Sequence, residues 1–146
     1  MSTVTLRRSG NRQFVCTDQR GRTLVVDAGP RGGGQFEGMK PSELLPFSLG
    51  ACVAVTVVNI LDKQRQGPFD LEIEISFAQK AAAPWPFTRF TLDYKFIGDN
   101  LDEAKVNAAI KLAEEKYCAV TASLREDIRI ETNVSIKASS GQPVAG

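Results

Sequence analysis

Apolar and polar residues alternate with period two along DLEIEISFAQK (70–80), where Leu71, Ile73, Ile75 and Phe77 face one way and Glu72, Glu74 and Ser76 the other. FTRFTLDYKF (87–96) repeats the pattern with Phe90, Leu92, Tyr94 and Phe96. Together they predict a half-buried antiparallel pair joined across AAAPWP (81–86). DIRIETNVSI (127–136) alternates again and predicts a last strand. Near the start, TVTLRR (3–8), RQFVCTD (12–18) and RTLVVD (22–27) read as three short strands of a meander, with SGN and QRG at the corners.

The period changes between these strands. From Leu44 to Leu61 no side chain is charged, and the stretch predicts a helix over 42–66. Ser42 is the expected N-cap and Gly67 the expected C-cap, with Pro68 behind it. Pro46 falls in the first turn, where it removes at most one hydrogen bond. Residues 100–126 carry Val106, Ala109, Ile110, Ala113 and Tyr117 at helical spacing and predict a helix or two. The segment 28–41 holds five of the twelve glycines and is expected to be a mobile connection. The end, 137–146, is expected to be frayed. The order βββ-α-ββ-αα-β is α+β: one domain over 1–146, with antiparallel sheets around a central apolar helix. That helix meets the lower length limit for a membrane span. Pro46, Ser48, Gly50, Thr56 and Asn59 dilute it, however, and the amphipathic strands need it as their core. A helix apolar on nearly every face is covered on nearly every face, and one short-stranded domain covers only part of it. A homodimer is therefore expected.

Composition narrows the chemistry. The formal net charge is +1 and the Lys and Arg residues are dispersed, so neither nucleic acid nor an anionic membrane is an expected partner. The first ten residues lack the apolar run of a secretory signal, which makes the cytoplasm the expected compartment. There is no histidine, which removes imidazole-ligated zinc and Ser-His or Cys-His catalysis. The three cysteines, Cys16, Cys52 and Cys118, are an odd number without a CxxC. They do not suit a disulfide scaffold, and they suit a metal or iron–sulfur cluster only if a dimer shares one.

Cys52, in LGACVA, and Cys118, in EEKYCAVTASL, are each followed by small residues, as a thiol needing access would be. Cys16 lies mid-strand and reads as structural. The plain alternative for each is a small buried hydrophobe. A reactive Cys52 needs a cation to stabilise its thiolate and a polar group to orient it. Arg31, in the glycine-rich loop, and Glu43, in the first turn of the helix, are the candidates. Arg20 and Arg22 are alternative cations, and Glu43 alternatively serves only the helix dipole.

KPSELLPFSLGACVAVT together with AEEKYCAVTASL resembles the OsmC/Ohr family of osmotically inducible and organic hydroperoxide resistance proteins. That family has a Pro-x-Glu-Leu-Leu helix opening, a small-residue stretch ending in Cys, and a second Cys in a late helix. Here the two are 66 positions apart. The resemblance implies an OsmC-like fold in an intertwined homodimer and a thiol-dependent peroxidase in oxidative-stress defence. Cys52 would attack an organic hydroperoxide and become a sulfenic acid, and Cys118 would resolve it to a disulfide. No cofactor would be bound; an external dithiol, of lipoyl type or on a lipoylated protein, would restore the thiols. The best characterised hydroperoxide reductases read Asn-Pro-Glu, with the Glu ten positions before the Cys. Here Ser42 follows Pro41 and Glu43 stands nine before Cys52, while the LGAC form and KYCAVTASL look closer to the less characterised OsmC-like branch. The alternative is a non-peroxidatic OsmC-like protein binding a small apolar or thiol-reactive ligand at the dimer interface.

Overall fold

The computed structural model describes residues 1–35 and 37–140. The chain forms two compact units, residues 1–45 and the part from Pro46 onward.

The first unit is an antiparallel meander of β1 (Thr5–Arg8), β2 (Gln13–Thr17) and β3 (Thr23–Asp27). Cys16 occupies an ordinary ladder position on β2, opposite Leu6 and Leu24. Asp18 holds the β2–β3 turn: its Oδ1 accepts the backbone N–H of Arg20 at 2.8 Å and of Arg22 at 2.9 Å, and Oδ2 takes the Arg22 guanidinium. The glycine-rich segment makes a 3-10 turn at Pro30–Gly32 and returns to β3, where the Asp27 N–H donates to the Met39 carbonyl at 3.0 Å. Glycine permits this return, because a Cβ on Gly34 would overlap the Ala28 carbonyl. A second 3-10 turn, Pro41–Glu43, precedes the long helix α1 (Leu44–Lys63). Ser42 therefore lies inside a turn and is not the N-cap. The Lys40 N–H is instead accepted by Glu43 Oε2 at 3.2 Å.

The second unit packs helices on one three-stranded sheet of β4 (Asp70–Gln79), β5 (Phe87–Ile97) and β6 (Arg129–Lys137), in that order. β4 and β5 form the expected antiparallel hairpin, with Phe77 opposite Phe90. β5 and β6 run parallel, which corrects the expectation of purely antiparallel sheets. The connection between them is a crossover carrying α2 (Glu103–Leu112) and α3 (Ala119–Ser123), and a crossover of that length brings the next strand back in the same direction. Lys137 closes β6 and the Ser139 N–H donates to Asp99 Oδ1 at 2.8 Å, so the expected frayed tail does not begin at 137. Its last part, 141–146, lies outside the described residues.

The alternation in β5 sets the core. Phe90, Leu92, Tyr94 and Phe96 are almost completely buried, while Lys95 on the opposite face is paired with Glu72 and Glu74. From α1 come Leu49, Val53, Val57 and Leu61, and from α2 come Val106, Ala109 and Ile110. Each fully buried aliphatic side chain of this size contributes about 1.5–3 kcal/mol by leaving water. The most apolar 18 residues of Pro41–Lys63 have a mean hydropathy of 2.1, enough to cross a membrane by length and composition. One side of α1 is nevertheless committed to this core. Its other side is apolar and open, with Phe47 57% and Val55 63% exposed. The helix ends at Lys63, where Arg65 takes the left-handed conformation (φ 56°) expected of Gly67. The N–H groups of Arg65 and Gln66 then close on the carbonyls of Asp62 and Leu61.

Candidate functional site

Cys52 lies on the flank of α1, beside the buried stripe, and is half-buried. Its carbonyl accepts the Thr56 hydroxyl one turn further along, at 3.1 Å. Cys118 reaches the same place by a less regular path. After Leu112 the α2 helix widens into a single π turn, Ala113–Tyr117, closed by the Cys118 N–H on the Ala113 carbonyl at 2.9 Å. The backbone then extends at Cys118 (φ −82°, ψ 103°), which becomes the N-cap of α3: its Sγ accepts the Thr121 N–H at 3.3 Å. Single π turns of this kind re-aim the residues that follow them.

The result is that the two sulfurs meet. The Cys118 thiol donates a hydrogen bond to the Cys52 sulfur, and the N–H groups of Val120 and Ala119 add two more. The Cys118 bond is the largest influence holding the Cys52 thiol below its ordinary pKa; burial opposes it, and the two backbone donors reinforce it. The arrangement thus favours the thiolate form of Cys52 at the half-buried end of the pair, beside the buried Cys118. A thiolate, not a thiol, is the nucleophilic form.

The π turn is tied to the sheet by a carboxylate. Glu114 Oε1 accepts the Tyr94 hydroxyl from β5 and the Thr132 hydroxyl from β6, both at 2.9 Å. Burial first, and then the Glu114 charge, push the Tyr94 hydroxyl far above its usual pKa, with a further contribution from Cys118. Tyr94 therefore stays protonated and remains a donor. Close to the thiols, Thr56, Asn59, Ile60, Lys63, Leu112 and Tyr117 line a groove of about 340 Å³. Two of its lining residues are near the pair in the chain: Thr56, whose hydroxyl donates to the Cys52 carbonyl, and Tyr117, which precedes Cys118. Among the described residues no group of three or more His, Cys, Asp or Glu side chains is arranged to hold a metal ion.

Of the residues singled out from sequence, the structure brings Cys52 and Cys118 together. Arg31 and Glu43 belong to the first unit. Arg31 is exposed in the Pro30–Gly32 turn, and the Glu43 carboxylate accepts the Lys40 N–H. The alternative cation Arg22 is committed to Asp18. Sequence reading missed the amides of Ala119 and Val120, because nothing in EEKYCAVT announces a π turn. It also missed Tyr94, Glu114 and Thr132, which converge from three elements.

The comparisons with known proteins bear on the family and the fold. The OsmC-like protein family model matches residues 32–133, a span that includes both cysteines. Protein YhfA of Escherichia coli K12 is 30% identical over 125 residues, covering 86% of this chain and 90% of its own. The crystal structure of a hypothetical protein from Aquifex aeolicus superposes with a TM-score of 0.83 at 26% identity, over 94% of this chain and 97% of that one. The organic hydroperoxide resistance protein OhrB of Bacillus subtilis shares the fold alone, with a TM-score of 0.58 at 18% identity over 94% and 98% of the two chains. Motif, element order, thiol placement and these likenesses lead to one assignment: the chain belongs to the OsmC-like protein family.

Proposed function

We propose that this protein is a two-cysteine peroxidase that reduces organic hydroperoxides. The observation that carries this reading is the hydrogen bond from the Cys118 thiol to the Cys52 sulfur, with the Val120 and Ala119 amides beside it. The Cys52 thiolate attacks the terminal oxygen of R–O–O–H; the O–O bond breaks, Cys52 becomes a sulfenic acid, and the alkoxide takes a proton to leave as R–OH. The Cys118 sulfur then attacks the sulfenic sulfur, a disulfide forms and water departs. An external dithiol reduces the disulfide by exchange and is itself oxidised. The half-buried setting suits an apolar peroxide, and the neighbouring groove offers Leu112, Ile60 and Tyr117 to its organic part.

The same reading makes the protein a homodimer. Phe47 and Val55 on α1 are exposed. Beside them runs an apolar groove of about 340 Å³ lined by residues such as Ala51, Ala54 and Val58 of α1 and Leu71 and Ile73 of β4. A second copy would cover it. The contact between the thiols favours redox chemistry over simple ligand binding, which requires no such contact.

The test is consumption of cumene hydroperoxide with a dithiol reductant such as dihydrolipoamide. Wild type is expected to turn over and Cys52→Ser to be inactive. An unchanged rate in Cys52→Ser would overturn the proposal. Equimolar peroxide is also expected to remove both thiols of the pair together, as counted by alkylation and mass spectrometry.

A further inference from the structure

The resolving thiol depends on an irregular stretch of helix. A π turn is a rare interruption, and the one before Cys118 decides where its sulfur points. Glu114 lies inside that turn, four residues before Cys118, and is fixed to two neighbouring parallel strands through Tyr94 and Thr132. Tyr94 is itself immobile, being 1% exposed and stacked on Phe96 with ring centroids 6.5 Å apart.

We infer that Glu114 is a positioning residue for disulfide closure: by gripping the Tyr94 and Thr132 hydroxyls it keeps the π turn wound and holds the Cys118 sulfur within attack range of Cys52. This deepens the peroxidase reading and rests on it. After the first step Cys52 carries a sulfenic acid, which has two fates. Cys118 attacks it, releasing water and forming the disulfide. Or a second peroxide oxidises it to a sulfinic acid and leaves as the alcohol. The clamp sets the partition between them. Without it the π turn relaxes toward ordinary helix, the backbone at Cys118 rotates, and the second fate gains.

The experiment compares wild type with Tyr94→Phe, Glu114→Ala, Glu114→Gln and Thr132→Val. Each is exposed to cumene hydroperoxide, and the sulfinate-to-disulfide ratio at Cys52 is read by mass spectrometry, with the sulfenic acid trapped by dimedone. The Tyr94→Phe, Glu114→Ala and Thr132→Val variants are expected to raise the ratio several-fold, while the sulfenic acid forms at nearly the wild-type rate. Glu114→Gln keeps an oxygen that accepts both hydroxyls and is expected to restore most of the wild-type ratio. A general loss of structure would slow both steps, so the split isolates positioning. Thr132 is exposed on its strand, so its variant remains informative if a buried-site variant fails to fold. Wild-type ratios in Tyr94→Phe and Thr132→Val would overturn the inference.

Closure by diamide, which needs no peroxide, separates the two proposals. If wild type forms no disulfide with peroxide but closes with diamide, and the clamp variants close more slowly, the peroxidase reading fails and the clamp stands. If all variants close with diamide at the wild-type rate, the clamp fails.

Discussion

Cys118 is a hydrogen-bond donor to Cys52, not merely its neighbour. That relationship holds the half-buried Cys52 thiol below the ordinary cysteine pKa. The activation of Cys52 thus comes from a second cysteine and two backbone amides, all supplied by one helix start.

The first expectation concerns pH. The alkylation rate of Cys52 by iodoacetamide is expected to rise with pH through a midpoint below that of an ordinary cysteine. Removing the donor in Cys118→Ala should move the midpoint up, because the thiolate loses its largest support. Cys118→Ser keeps a hydroxyl donor and should move it less. Equal midpoints in wild type and Cys118→Ala would show that the contact does not tune the thiol.

The open side of α1 gives a second. Val55 is 63% exposed in a single chain, and Val55→Lys on a truly solvated helix face would change stability by less than about 0.5 kcal/mol. If a second copy covers that face, the substitution buries an unpaired charge and is expected to yield monomers in light scattering behind size exclusion. A wild-type protein that runs as a monomer would end the dimer proposal directly.

Leu49 supports the helix that carries Cys52. It is 1% exposed, and Leu49→Ala is expected to cost about 3 kcal/mol from lost burial and the cavity left behind. Urea denaturation measures this. Leu124, only partly buried, should cost less when shortened in the same way.

Gly50 offers a finer test. A Cβ there would meet Ile75 Cδ1 from β4, the movable end of a side chain. Gly50→Ala gains about 1 kcal/mol of helix propensity and loses a similar amount to overpacking, about 1–3 kcal/mol, so its melting temperature should change little or fall. Gly50→Ala combined with Ile75→Val removes the collision and should melt above the single variant. A double variant no more stable than the single one would place the cost elsewhere.

Much of the fold was legible because its strands alternate cleanly. Leu92 and Tyr94 show which face of β5 is buried, and the uncharged run around Cys52 marks its helix. The direction of β6 was not legible, since Ile130 and Val134 alternate alike in parallel and antiparallel neighbours. Nor was the helix start: Ser42 has the chemistry of a cap, but it lies inside a 3-10 turn whose Glu43 carboxylate accepts the Lys40 N–H. The candidate site divides in the same way. Cys52 and Cys118 are visible as rare residues in telling surroundings. The amides of Ala119 and Val120 have no side-chain signature, and Glu114 acquires its role only when Tyr94 and Thr132, distant in sequence, come to face it.

The crossover that makes β5 and β6 parallel has one more consequence. The two thiols lie on either side of the β4–β5 hairpin, 66 positions apart, so a bond between them would enclose the whole hairpin and α2 in a covalent ring. Closing a ring of that size restricts the unfolded chain and, on chain entropy, stabilises the oxidised protein by about 4 kcal/mol. Resistance to heat would then rise when the protein has met an oxidant and fall once a reductant has cleared it, making its melting temperature a record of its redox history.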